Sequence, residues 1–318
     1  MLLSEALEGY QLSQIADGYS PLTIAAYLSA LRLLSDYLSN PDVSEITETD
    51  LKRFFGHLRT TYEPEHSDNG QLSTASLHRY WKAVRSFFKW AEHNLKSDRP
   101  DASFKMPRYT NKEIIPYSED DVQKLLAACE LSRPVVKAEK REYSFRPHFS
   151  DRNTAILLTL LDTGLRPGEL ARLKMSDINL TSGEIQIRPF RTGKTRPRIV
   201  IISPKTCKAI WRYQTTLEEC APNTPAFLTD DDHEMTRHTI GSLIADLGQR
   251  AGIHNANPYR FRHTFAIEYL RNGGDVFTLQ RILGHATLEM CRTYLRLAQT
   301  DVLAAHRRAS PVDRWRLG

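Results

Sequence analysis

Two stretches of the chain place groups suited to work on a phosphate at fixed separations. Between Asn257 and Leu295 come Arg262 and His263, then a Leu283-Gly284-His285 turn, then Tyr294 nine residues after His285. A guanidinium fork matches phosphate oxygens with two parallel hydrogen bonds. An imidazole moves a proton or donates to a charged oxygen near neutral pH, and a tyrosine hydroxyl forms a covalent intermediate once activated. Upstream, Thr163-Gly164-Leu165-Arg166-Pro167-Gly168-Glu169-Leu170 sets another arginine at a turn entering a helical pattern, and Thr192-Gly193-Lys194-Thr195 precedes the β-branched run from Ile199 to Ile202. Taken singly each is ordinary: a solvated charge, a cap, a packing residue. The case for chemistry lies in their order and spacing.

These residues resemble the signature of the tyrosine recombinases of the phage integrase family, in a layout similar to the Xer and Cre type proteins. That family carries an arginine in a T-G-L-R-x-x-E-L box, a lysine in a β-hairpin, an H-x-x-R box, an L-G-H box and a nucleophilic tyrosine nine residues past that histidine. The resemblance covers residues 117–298 and carries catalytic roles onto Arg166 with Glu169, Lys194, Arg262, His285 and Tyr294. One position departs: in Tyr259-Arg260-Phe261-Arg262 the slot of the first histidine of H-x-x-R holds Tyr259.

The resemblance implies a reaction as well. Arg166 and Arg262 would clamp the pentavalent phosphorane, Tyr294 would attack the phosphorus to give a 3′-phosphotyrosyl link, and Lys194 would protonate the departing 5′ oxygen. His285 would donate to a non-bridging oxygen, Glu169 would orient a basic neighbour, and Tyr259 would offer one hydrogen bond to the phosphate. The expected protein is a metal- and ATP-independent site-specific DNA recombinase, the integrase or transposase of a mobile element, with no cofactor. Its expected partners are a double-stranded DNA site and three further copies of itself in a synaptic tetramer. Chromosome dimer resolution of the Xer type, a type IB topoisomerase and a catalytically silent DNA-binding relative are the rival readings, the last because of Tyr259.

Charge supports a polyanionic partner. The 318 residues carry a net +5, but residues 1–104 have 10 Lys+Arg against 14 Asp+Glu, a net of −4, whereas residues 105–318 have 33 against 24, a net of +9. The basic part is the part with the motif, and each neutralised phosphate releases condensed counterions. Cys129, Cys207, Cys220 and Cys291 show no zinc or redox spacing, and the acidic start, with Glu5 and Glu8, lacks the basic region of a leader. A reducing cytosol, on the nucleoid, is the expected location. Two decoys fall away: Gly193-Lys194-Thr195 lacks the earlier glycine of a phosphate loop, with Arg188 in its place, and His233-Glu234 with His238 misses the offset of a zinc helix.

The elements that must hold these groups are mainly α with a small β-hairpin, expected in two domains that clamp DNA in a C shape. Residues 1–104 read as a helical, SAM-like core-binding domain, 105–116 as a linker, 117–300 as the catalytic domain, and 301–318 as a tail that docks on a neighbouring protomer. A period near 3.6 predicts helices over 20–38, 47–59 and 74–95, the first with Ser20 as N-cap and Pro21 at its first position. On the third, His78, Lys82, Arg85 and Lys89 form a cationic stripe, expected to touch DNA. Residues 132–150 read as a charged loop, 184–187 and 198–202 as a hairpin, and 151–161, 168–174, 204–216, 236–251, 261–272, 276–283 and 287–298 as helices, the last carrying Tyr294. Arg196, Arg198, Arg260 and His263 complete the residues expected to contact DNA.

Overall fold

The computed structural model describes residues 1–64, 71–103, 105, 113–130, 135–136, 142–143, 149–189, 197–218, 220–298, 306 and 310–315. Its chain divides into two compact units, Met1–Lys112 and Glu113–Gly318. Both are built mostly of helices.

In the first unit α1 (Leu3–Ala16), α2 (Pro21–Tyr37), α3 (Glu48–Thr60) and α4 (Thr74–Leu95) enclose one core. Three of the four start on a side-chain cap that satisfies a free helix N–H. The Ser20 hydroxyl accepts from the Thr23 amide with Pro21 following, Thr47 and Asp50 cap each other's backbone, and Ser73 accepts from the Ser76 amide. The apolar stripes then meet: Tyr10, Leu31, Leu34, Leu51, Phe54, Phe87 and Phe88 are fully buried, and Tyr10 meets Phe87 edge-on at 5.6 Å between centroids. Lys82, Arg85 and Lys89 face solvent on α4, while His78 is half-buried. The sequence pattern did not predict α1. Its buried side, Leu3, Ala6, Leu7, Tyr10 and Gln14, is matched by Leu12 and Ile15 in solvent, which blurs the amphipathic period.

In the second unit α5 (Glu119–Glu130) is followed by a two-stranded ribbon, β1 (Val135–Val136) and β2 (Glu142–Tyr143), in the stretch expected as a loop. Then come α6 (Ser150–Thr163), α7 (Pro167–Ala171), β3 (Ile178–Asn179), β4 (Glu184–Ile187) and β5 (Arg198–Ile201). The three last strands form one antiparallel sheet in that order, with Ile185 opposite Val200 and Ile187 opposite Arg198. The tip of the β4–β5 hairpin, with Lys194 and Arg196, lies outside the described residues. Next are α8 (Pro204–Gln214), α9 (Arg237–Arg250), α10 (Pro258–Arg271), α11 (Val276–Leu283) and α12 (Glu289–Ala298), and a last helical turn covers Pro311–Arg314. Most of the expected tail is also outside the described residues.

Helix α6, buried on nearly all sides, packs against α8 and α10, and α10 packs against α12. The helix expected over 168–174 is shorter. It stops at Ala171 and gives way to a 3₁₀ turn, Met175–Asp177, in which the Asp177 carboxylate accepts the Lys174 amide at 3.0 Å. A local side-chain bond of this kind competes with helix continuation.

Candidate active site

The placement of Arg166 begins with a glycine. Helix α6 ends where Gly164 turns left-handed, at φ 60°, and a Cβ there would fall 2.6 Å from Phe265 Cδ1 and 2.9 Å from Leu283 Cδ2. Only glycine satisfies both the dihedral and the space. Leu165 then enters the core, Arg166 becomes the N-cap of α7 with Pro167 at the first position, and the Glu169 carboxylate accepts the Arg166 amide at 3.0 Å.

Arg262, on α10, is the best-buried cation of the site, 4% exposed. Its Nη1 donates to the Gly164 carbonyl at 2.7 Å, and its Nη2 to the Leu283 carbonyl and to His285 Nε2, both at 2.8 Å. The two carbonyls lie at the C-terminal ends of α6 and α11, where the helix dipole favours a cation. Burial, and then the charge of Arg166, bring its pKa down to about 10, so it stays charged at neutral pH.

Glu169 joins two cations. Arg198 approaches its carboxylate with both terminal nitrogens, at 3.1 and 2.8 Å, and Arg166 Nη1 donates to the same group at 3.1 Å. Burial alone would raise the carboxyl's pKa, but the hydrogen bonds and charge of Arg198, helped by Arg166, hold it below its usual value. Arg198 also donates from Nε to the Ile282 carbonyl at 2.6 Å, beside left-handed Gly284, where a Cβ would meet the Arg198 guanidinium at 3.0 Å. The glycine of the Leu283-Gly284-His285 turn thus makes room for this arginine.

His285 is buried and neutral: burial, then the charges of Arg262, Arg166 and Arg198, push its pKa down to about 4. Since Arg262 donates to Nε2, the ring proton sits on Nδ1 and points at Cys291 Sγ, 3.2 Å away. Tyr294 is 6% exposed on α12, with its ring parallel to His285 at 6.3 Å between centroids. Its hydroxyl lies 3.0 Å from His263 Nδ1. Burial raises the phenol's pKa and Arg262 opposes that rise. His263 is shifted down, by burial and then by Arg262.

Five expected residues therefore meet in one place: Arg166, Glu169, Arg262, His285 and Tyr294. Tyr259 is not with them. It is 54% exposed and, among the described residues, forms no hydrogen bond; the side chain that reaches Tyr294 is His263, one helical turn later. Three residues expected to contact DNA have partners inside the protein. Arg198 is held inside by Glu169 and the Ile282 carbonyl. Arg260 lies over the Tyr117 ring at 4.1 Å and donates to Asp121 and to the carbonyls of Ile115, Pro116 and His254, so it fastens α10 to the start of the unit. His263 is half-buried against Tyr294. Nothing local in the sequence separated these from solvated cations. Among the described residues no three His, Cys, Asp or Glu side chains group as a metal site.

Comparison with known proteins follows the same lines. Residues 117–301 match the Phage integrase family, and residues 8–94 match the Phage integrase, N-terminal SAM-like domain. Tyrosine recombinase XerA of Saccharolobus solfataricus is 27% identical over 283 residues, which cover 88% of this chain and 84% of that protein. Tyrosine recombinase XerD of Listeria innocua is 28% identical over 313 residues, with 93% and 95% covered. Among solved structures, the Tn1549 transposon integrase in complex with a circular intermediate DNA superimposes with a TM-score of 0.74 at 16% identity, over 97% of this chain and 99% of that one. The last likeness is one of fold.

Proposed function

Since the chain belongs to the phage integrase family, as a tyrosine recombinase, we propose that it cuts and rejoins double-stranded DNA at specific sites as the integrase or transposase of a mobile element. The observation that carries the chemistry is the burial of Tyr294 in the same cluster as Arg166, Arg262 and His285. A phosphodiester resists attack because it is anionic, so its cleavage needs positive groups fixed around the phosphorane before the charge develops. Arg262, anchored by two helix ends, and Arg166, anchored by Glu169, supply them without rearrangement. Tyr294 is the nucleophile and the 3′-phosphotyrosyl link its product. His285, neutral and accepting from Arg262 at Nε2, fixes that guanidinium in place where the resemblance had it donating to a non-bridging oxygen, and Lys194 protonates the 5′ oxygen. The covalent link conserves the bond energy, so a 5′ hydroxyl of another strand reverses the step and strands are exchanged. Four copies would assemble on paired sites.

The exposed cations of α4, Lys82, Arg85 and Lys89, are proposed to contact the duplex. No helix among the described residues is long and apolar enough to cross a membrane, and a cytosolic location on the nucleoid agrees with a DNA substrate. What supports a mobile-element role is the likeness in fold to the Tn1549 transposon integrase. Coverage of more than nine-tenths of both chains by XerD favours chromosome dimer resolution as a second reading. Sequencing of covalently trapped DNA in cells separates the two: adducts at the ends of an excisable element support the first, and adducts at one fixed chromosomal site support the second. Tyr294→Phe should keep DNA binding and lose all adduct. Adduct persisting in that variant would overturn the assignment of the nucleophile.

A further inference from the structure

We propose that His263 is the general base that takes the phenol proton of Tyr294. The inference rests on the recombinase reading above and deepens it. The family slot for this task holds Tyr259, whose side chain stands mostly in solvent, whereas His263 Nδ1 is 3.0 Å from the Tyr294 hydroxyl. That distance is within the reach a base needs. The contact joins α10 to α12, with the two rings 5.7 Å apart between centroids and inclined at 49°, so the Nδ1 edge meets the oxygen. With the ring proton on Nε2, Nδ1 accepts from the Tyr294 O–H.

The surroundings keep the base ready. Half-burial and the adjoining Arg262 charge lower the proton affinity of His263, so the ring is unprotonated at neutral pH. The titratable groups facing it are Arg262 on its own helix and Tyr294 on α12, and the Arg166 charge bears on the same Tyr294 oxygen. In cleavage the proton passes to His263 Nδ1 as the bond from the Tyr294 oxygen to phosphorus forms. The bond from phosphorus to the 5′ oxygen breaks, its electron pair leaves with that oxygen, and the oxygen takes a proton from Lys194. In rejoining, a 5′ hydroxyl gives up its proton to Lys194 as it attacks, and the imidazolium of His263 returns its own to the departing phenolate. A position following the arginine of the H-x-x-R box thereby does the work its first histidine would do.

Single-turnover cleavage of a nicked DNA site, scored as covalent adduct against pH, tests this. His263→Gln keeps an acceptor beside Tyr294 but cannot hold the proton. It should retain DNA binding, cleave about a hundredfold more slowly at pH 7, and lose the acid limb that the wild type shows as His263 protonates. Replacing Tyr294 by a ring-fluorinated tyrosine, whose phenol ionises more readily, should recover much of the loss in His263→Gln and gain little in the wild type. Wild-type speed in His263→Gln overturns the proposal. So does a slowing in which the acid limb persists or fluorination gives no recovery, because His263 would then only pack. A Tyr259→Phe loss larger than that of His263→Gln returns the base to Tyr259. Absence of adduct from the wild type overturns the recombinase reading itself.

Discussion

Glu169→Gln tests the electrostatic frame of the site while barely changing its shape. The carboxylate is almost wholly buried and serves Arg198 through two hydrogen bonds and Arg166 through one, besides capping the Arg166 amide. An amide in its place keeps one acceptor but removes the one negative charge that, among the described residues, stands between three neighbouring guanidiniums. Breaking a buried pair by neutralising one partner costs about 3 to 5 kcal/mol, and the retained acceptor places this case near 3. For a unit of roughly two hundred residues each kcal/mol moves Tm by about 2 to 4 °C, so the expected loss is about 6 to 12 °C. Scanning calorimetry of the whole chain should show that fall in the transition of the second unit alone. A pH series adds the sign. The folded carboxyl has a lower pKa than the unfolded one, so its stabilisation is complete above the unfolded value of about 4.3 and is lost as pH falls through the folded value. The gap between wild type and variant should close in that acid range. A shift under about 1 °C, or a gap that is constant with pH, would refute the idea that Glu169 is the counter-charge of the cluster.

Two further substitutions probe shape and surface. Gly164→Ala adds a left-handed residue, at about 1 to 2 kcal/mol, to an overpacked contact with Phe265 and Leu283, at about 1 to 3 kcal/mol. Gly252→Ala, with φ 69° and nothing within 4 Å, should cost only the first amount, and equal losses on calorimetry would deny the packing contribution. Lys82, Arg85 and Lys89 replaced together by Ala should weaken DNA binding and flatten its salt dependence by roughly 0.9 in log-log slope per lost phosphate contact. An unchanged slope would leave the stripe as solvated surface.

The parts of the site that a sequence can show are those set by local geometry. Gly164 and Gly284 announce left-handed turns, and the residues next to them, Arg166 and His285, are positioned by those turns. The hydrophobic period gave α2, α3 and α4 because one face of each is apolar and a Ser or Thr stands at its start. It missed α1, where Leu12 and Ile15 face away from the core and the N-cap residue is Leu2, with no side-chain oxygen to accept a free amide. It also could not tell cations apart by use. Arg198, Arg260 and the exposed Lys82 are alike in sequence, and their difference comes from partners more than thirty positions away for the first two, such as Ile282 and Ile115. His263 was hidden for the same reason, since its partner Tyr294 is on another helix.

Arg166, Arg198 and Arg262 against Glu169 leave an excess of two positive charges in the described cluster, while His263 and His285 stay neutral. A phosphodiester brings one negative charge and the phosphorane formed from it two. The excess therefore matches the state at the top of the barrier better than the bound substrate, which is the condition for lowering the barrier rather than only tightening binding. Holding such an excess inside the protein is costly, and the site limits the cost by spreading it. Arg262 leans on the carbonyls of Gly164 and Leu283, Arg198 leans on that of Ile282, and both histidines give up their charge. When the phenol proton moves to His263 the cluster gains a further positive charge beside the attacking oxygen, at the moment the phosphorus acquires its extra electron density. Proton transfer and charge stabilisation are then the same event.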